Sequence, residues 1–323
     1  MRKLLLGTTA LAAAATLSAN AALADVSISG YYEWKVQSQS SNVAATDGTT
    51  FTNDSEIAFK FSNKTDSGLS IDLVTEMSSD DGDGAIDESS LSIAGGFGKV
   101  VLGGNDGVGD NYGVSSTDLP AEEIYATSTT DGLTVLNSDI NGLEGDASKI
   151  AYHLPAMGGL TAGVSYTDSG AAGSTDTTQV GFKYAMETGG AGITIGGATG
   201  TTEAATTDTD SQVLGVKVSS GNITAVVSQA TYEAASSVDE ESNGASVQFK
   251  VSDGMTFTVH TAKTDSSNDS QEYTNTGAEI AYTIASGLTA YINVEDYEYK
   301  VGTSTGNTAD SGTASKLTIK ATF

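Results

Sequence analysis

The 323-residue chain has no cysteine, two prolines and a single arginine, Arg2. Without cysteine there is no thiol nucleophile, no thiolate metal centre and no disulfide framework. Scarce proline beside 38 glycines suits long strands joined by turns, since proline removes a ladder donor while glycine accepts turn dihedrals. Basic residues number 14 against 41 acidic ones, for a formal charge of −27. No basic patch for phosphate can be assembled from such a chain, which excludes nucleic acid as a partner. The only histidines, His153 and His260, neighbour no nucleophile motif, so a hydrolase lacks its parts and no enzyme activity is expected. The glycine clusters GGFG and GGNDG carry neither the lysine-serine pair nor the helix of a phosphate cradle, and read as turns.

What is present begins with a leader. Arg2 and Lys3 precede an apolar, alanine-rich stretch from Leu4 to Leu17, and Ala22-Leu23-Ala24 offers the small residues a signal peptidase requires. The apolar core is too short for the ~20 residues of a membrane span, and Ser18 and Asn20 interrupt its end. Residues 1–24 are therefore expected to be a signal peptide and 25–323 a single mature domain, with loss of Arg2 and Lys3 taking the formal charge from −27 to about −29. No later stretch is apolar enough for a membrane helix. An exported chain of this kind that enters a membrane must do so as a closed barrel, because lipid offers no partner to an unpaired backbone group.

Alternation at period two runs through the mature chain. Val26, Ile28, Tyr32, Trp34 and Val36 share one parity while Ser27, Ser29, Tyr31, Glu33 and Lys35 take the other. Ile57, Phe59 and Phe61 repeat the pattern, as do Leu160, Val164 and Tyr166, and then Ile280, Tyr282 and Ile284. The ending KLTIKATF sets Leu317, Ile319, Ala321 and Phe323 on one face and Lys316, Thr318 and Lys320 on the other. Phe323 reads as the aromatic that a closing barrel strand needs at the membrane boundary. Counting segments gives about sixteen strands, an even number as single-chain bacterial barrels require. Tight links such as 65–68, 95–98 and 285–287 alternate with long polar ones such as 38–54, 78–87, 104–147 and 299–312, the signature of short periplasmic turns and longer external loops. The second face carries Ser, Thr, Gln, Lys and Glu, which suits a wet lumen better than the interior of a soluble sandwich. The fold expected is all-β: a transmembrane antiparallel up-and-down β-barrel, wide enough at about 16 strands to enclose an aqueous channel.

The motifs GYYEW near the mature start, SNKTDSGL before the third strand, GGFGKVVLGGNDG leading into the long link, and terminal Phe323 carry a resemblance over the whole mature chain. It resembles the general diffusion porins of Gram-negative bacteria, particularly the alphaproteobacterial, Rhodobacter-like type. The resemblance implies an outer-membrane homotrimer whose third loop folds into the barrel and narrows it. It further implies acidic residues on that loop facing basic residues on the wall. The loop offers Asp106, Asp110, Asp118, Glu122, Glu123 and Asp131, and beyond them Asp139, Glu144 and Asp146; each could equally be a solvated loop carboxylate. Parity points Lys35, Lys60, Lys316 and Lys320 to the lumen from strands that become neighbours on closure. Lys60 and Lys320 lie near the periplasmic turns, where a rim role is open to them. The family often uses arginine here, whereas lysine supplies a mobile point charge.

Three further expectations complete the reading. With carboxylates outnumbering lysines, a water-filled channel for passive diffusion of small hydrophilic solutes and ions should prefer cations. A substrate-specific channel, with inward tyrosines such as Tyr31 and Tyr291 stacking a sugar, and a surface adhesin are the alternatives; detergent dependence separates barrel from adhesin. No cofactor is required, but Asp80, Asp81, Asp83 and Asp87 crowd the segment SSDDGDGAIDE (78–88), which is either a solvated acidic loop or a calcium-binding one; the resemblance implies that this second long loop reaches a neighbouring subunit, where calcium would assist the contact.

Overall fold

A strand with one face in hydrocarbon cannot leave its edge unpaired, and this chain resolves that constraint by closing on itself. The computed structural model describes residues 25–42, 47–78, 86–121, 147–168, 175–203, 208–234, 239–267, 271–302 and 310–323. The expected leader (1–24), Asp80, Asp81 and Asp83, and Glu122, Glu123, Asp131, Asp139, Glu144 and Asp146 lie outside the described residues. The strands run in order as β1 (Asp25–Ser41), β2 (Gly48–Lys64), β3 (Ser70–Ser78), β4 (Ile86–Gly95), β5 (Gly98–Gly104), β6 (Ser148–His153), β7 (Leu160–Asp168) and β8 (Asp176–Thr188). They continue as β9 (Ala191–Glu203), β10 (Thr209–Ser220), β11 (Ile223–Ala234), β12 (Glu240–Ser252), β13 (Met255–Ser266), β14 (Gln271–Ala285), β15 (Leu288–Val301) and β16 (Asp310–Thr322). Each pairs antiparallel with its sequence neighbours, and β1 pairs with β16 to complete the ring. Among the described residues no helix is long and apolar enough to cross a membrane.

Burial is inverted relative to a water-soluble protein. Val180, Phe182, Leu214, Val227, Ile292 and Val294 are exposed at the outward parity, whereas Gln179, Glu279, Asn293, Glu295 and Thr318 are buried at the inward one. The apolar band is the surface that faces lipid, and the polar set lines or supports the lumen. Aromatics gather toward the short-link end of the wall: Phe97, Tyr184, Phe249, Tyr282 and Phe323 are all exposed there, and the Tyr152 hydroxyl donates to the Phe97 carbonyl at 2.6 Å. Closure ends on Phe323, whose N–H and C=O exchange 3.1 Å hydrogen bonds with Gly30 of β1. Its ring covers that glycine, where a Cβ would stand 3.1 Å from Cζ.

The strands are longer than their apolar patterns. The link expected over 38–54 is largely ladder: Ser38 pairs with Thr49 and Gln39 with Gly48. Likewise β15 and β16 pair as far as Tyr299 and Asp310, inside the link expected over 299–312. Above the hydrocarbon both faces of a strand meet water, so the period-two signal disappears while backbone pairing and β-branched threonines carry the sheet onward. Outward charge is costly only within the apolar band. Ile292→Lys and Val259→Lys should each lower the unfolding free energy in lipid vesicles by about 2–4 kcal/mol, and inward Ser92→Lys by less than about 1 kcal/mol, as read by urea titration.

Candidate functional site

The long link between β5 and β6 does not leave the barrel at once. Residues 105–121 contact inward-facing positions of the wall from β6 round to β14. A short helix, α1 (Val108–Tyr112), and a 3₁₀ turn (Ser116–Asp118) lie within it. The bed on which it rests is made of missing side chains. Gly163 and Gly181 pair across β7 and β8, and Gly196 and Gly215 across β9 and β10, all at inward parity. A Cβ on Gly163 would stand 2.9 Å from the Tyr112 ring, one on Gly181 2.9 Å from Tyr112 Cβ, and one on Gly196 2.5 Å from Val114 Cγ2; at Gly215 it would strike the Val114 carbonyl. These glycines supply room for a close backbone approach, not an unusual dihedral.

Hydrogen bonds fix the segment along this bed. Val108 N–H donates to Ser165 Oγ at 3.3 Å, Gly109 N–H to Gln179 Oε1 at 2.7 Å and Ser116 N–H to Ser228 Oγ at 2.7 Å. Ala121 N–H donates to Glu279 Oε1 at 3.0 Å. In the reverse sense Gln248 Nε2 donates to the Leu119 carbonyl at 3.0 Å, Lys183 Nζ to that of Asn111 at 3.3 Å and Lys149 Nζ to that of Asn105. The Tyr112 hydroxyl meets His153 Nδ1 at 2.8 Å and donates to the Ala162 carbonyl at 3.2 Å. Burial raises the Tyr112 pKa above the usual phenol value, so the hydroxyl keeps its proton for this contact at any physiological pH. Val108, Tyr112, Val114 and Leu119 are buried against the wall, and Asp106, Asp110 and Asp118 lie on the exposed side of the segment.

Half-way round the ring from β9 lies β1, where the inward lysines meet carboxylates. Glu33, almost fully buried, accepts Lys35 Nζ at 2.6 Å and Lys320 Nζ at 2.5 Å. Lys35 also reaches Asp54 at 3.3 Å, Tyr31 donates to the same carboxylate at 3.3 Å, and Lys320 Nζ stands 4.3 Å from the centre of the Tyr31 ring. The geometry is a chain of alternating charge, Asp54–Lys35–Glu33–Lys320, spanning β2, β1 and β16. Lys60 sits apart on Asp72 at 3.7 Å. Lys316 is buried at a register position between Gln37 and Asn293. Asp87 lies on β4, and among the described residues no three acidic, histidine or cysteine side chains are placed to hold a metal ion.

Sequence parity alone did not single out Lys149, Lys183, Gln179 or Glu279. Each has inward parity, and that was the only available sign; their role as anchors depends on where residues 105–121 lie. The acidic partners Glu33 and Asp54 were equally visible by parity, but only the β1–β16 and β1–β2 registers bring them against Lys320 and Lys35.

A closed barrel with an apolar outer band and a polar, charged interior defines a transmembrane channel of the outer-membrane type. Residues 7–302 match the Gram-negative porin family, and the chain belongs to that family. A search of curated proteins finds no match. Similar solved structures include the anion-selective porin from Comamonas acidovorans, 18% identical, with 93% of this chain and 100% of that chain covered and a TM-score of 0.67. The trimer form of OmpT from Vibrio cholerae is 13% identical, with 93% and 99% covered and a TM-score of 0.70. A multiply substituted Rh. blastica porin is 16% identical, with 93% and 100% covered and a TM-score of 0.68. At these identities the likeness is one of fold.

The glycine bed yields a direct test. Gly215→Val should either cost about 1–3 kcal/mol through overpacking or lift residues 113–116 from the wall, and in the second case single-channel conductance changes while the barrel still folds. Tyr112→Phe retains the packing and loses the hydroxyl contacts, for a cost of about 0.5–1.5 kcal/mol in the urea midpoint.

Proposed function

We propose that this porin is a passive diffusion channel for small hydrophilic solutes and ions, preferring cations, with residues 105–121 and the Lys35–Lys320 wall as the two sides of its constriction. The observation that carries the reading is the two-sidedness of the segment: its apolar residues pack on the wall, and Asp106, Asp110 and Asp118 are exposed on the other side. The opposite wall adds little positive charge, because Lys35 and Lys320 are matched by Glu33 and Asp54. In a narrow passage with low-dielectric walls such a surplus of carboxylate raises the local cation concentration. No catalytic step and no energy source belong to this reading. Export through cleavage after Ala24 and assembly as a homotrimer are part of the same proposal, supported by the leader-like composition of residues 1–24 and by the family.

Planar-bilayer recordings of the refolded mature chain in a KCl gradient test it. The reversal potential should have the sign of cation preference, and the triple substitution Asp106→Asn, Asp110→Asn, Asp118→Asn should move it toward zero. Glu33→Gln, which removes the carboxylate shared by Lys35 and Lys320 and leaves Lys35 with Asp54, should move it in the same direction. An anion-favouring reversal potential in the unmodified channel would sink the assignment of selectivity, and the absence of stepwise conductance would sink the channel itself.

A further inference from the structure

The outward wall carries a groove that lipid-facing barrels do not need for closure. It measures about 460 Å³ and crosses β7 to β11. Register fixes its construction. Phe182 pairs with Gly197, Gly197 with Leu214 and Leu214 with Gln229; on the adjacent row Val180 pairs with Thr199, Thr199 with Gln212 and Gln212 with Thr231. Gly197 is the floor, where the missing side chain leaves space between Phe182 and Leu214, whose nearest atoms stand 3.4 and 3.1 Å from a Cβ built there. Val180, Phe182 and Leu214 are exposed walls.

The groove lies where the outward face changes character. Below it β9 and β10 present Ile193, Ile195, Val216 and Val218 outward; above it they present Thr201 and Asp210. The change is toward the long-link ends of the strands, the external side in barrels of this type. A lipid entering there would lay a chain along Phe182 and Leu214 and leave its head beside Thr199, Gln212, Gln229 and Thr231. Those four residues are uncharged, and the charges beside them are the carboxylates of Asp210, next outward on β10, and Glu241, to which Gln229 is bound. Gln229 spends its amide protons on Glu241 and Asn243, at 3.0 and 3.1 Å, which leaves its carbonyl oxygen as an acceptor toward the rim. The outward lysine in the Gln229–Asn243 row is Lys263, which is held by Asp265 at 2.9 Å and Glu272 at 3.1 Å. A phosphate head would be repelled by those carboxylates, whereas sugar hydroxyls can donate to them and to the Gln and Thr oxygens and accept from the amide and hydroxyl protons. The slot between Phe182 and Leu214, floored by the missing side chain of Gly197, also fits a single acyl chain better than the face of a second barrel.

We infer that this groove holds one acyl chain of a sugar-headed lipid of the outer leaflet, with Gln212, Gln229, Thr199 and Thr231 binding the sugar hydroxyls. The inference rests on the barrel's place in the outer membrane with its long links outward, and is independent of what passes through the lumen.

Trp34 is the one tryptophan, so reporters can be placed singly. Phe182→Trp at the groove and Val294→Trp on the far wall, each with Trp34→Phe, are refolded in vesicles of brominated-chain phosphatidylcholine. A small mole fraction of unbrominated glycosyl diacylglycerol or phosphatidylglycerol is then added. The sugar lipid should relieve quenching at position 182 at least about threefold more than its mole fraction predicts, and at position 294 only in proportion. Phosphatidylglycerol should act in proportion at both, and Gln212→Leu with Gln229→Leu should abolish the preference. Equal relief by both lipids, or proportional relief at position 182, overturns the proposal; so does weak quenching at position 182 in every mixture, which means that another protein surface covers the groove. Conductance of the same variants reports separately on the channel, so its loss would not be confused with loss of the lipid site.

Discussion

Backbone pairing in a medium without water is the constraint from which the rest of this structure follows. Each N–H or C=O left open in hydrocarbon costs several kcal/mol, and the register from Tyr31–Thr322 on β1 and β16 round to the β1–β2 ladder leaves no edge. Once the ring is closed, apolar side chains have nowhere to go but outward. The close-packed part of the molecule is then displaced from a central core to the inner wall, where Val108, Tyr112 and Val114 lie on glycine.

The same closure governs the electrostatics. Inward charges share a confined, partly desolvated space, and Glu33 can be buried only because two ammonium groups reach it; a buried carboxylate without partners would be costly. Pairing consumes most of the scarce positive charge on that wall. The sign of the remaining field is set by the charged side chains left over once these pairs are formed.

Much of the architecture was legible in the sequence because lipid imposes a strict period. Val26 to Val36, or Leu317 to Phe323, could alternate in this way only with one face in an apolar medium. Legibility stopped where that medium stops: the polar ends of β1, β2, β15 and β16 carry no apolar rhythm, though their backbones remain paired. The interior was less readable still. Asp106, Asp110 and Asp118 could be proposed from their place in the long link, but Gly163, Gly181, Gly196 and Gly215 are scattered along the chain and become one surface only when four strands are laid side by side. Lys35 and Lys320 could be aimed inward by parity, yet their union on Glu33 depends on the closing register between the first and last strands.

The wall grips residues 105–121 chiefly by their main chain. Ser165, Gln179, Ser228 and Glu279 take N–H groups, and Gln248, Lys149 and Lys183 take carbonyls. Such a grip is indifferent to the identity of the side chains that point into the water. Exchanging Asp106, Asp110 or Asp118 leaves these main-chain anchors in place, so permeation preference can drift during evolution, or be rewritten by design, while the path of the segment along the wall is kept.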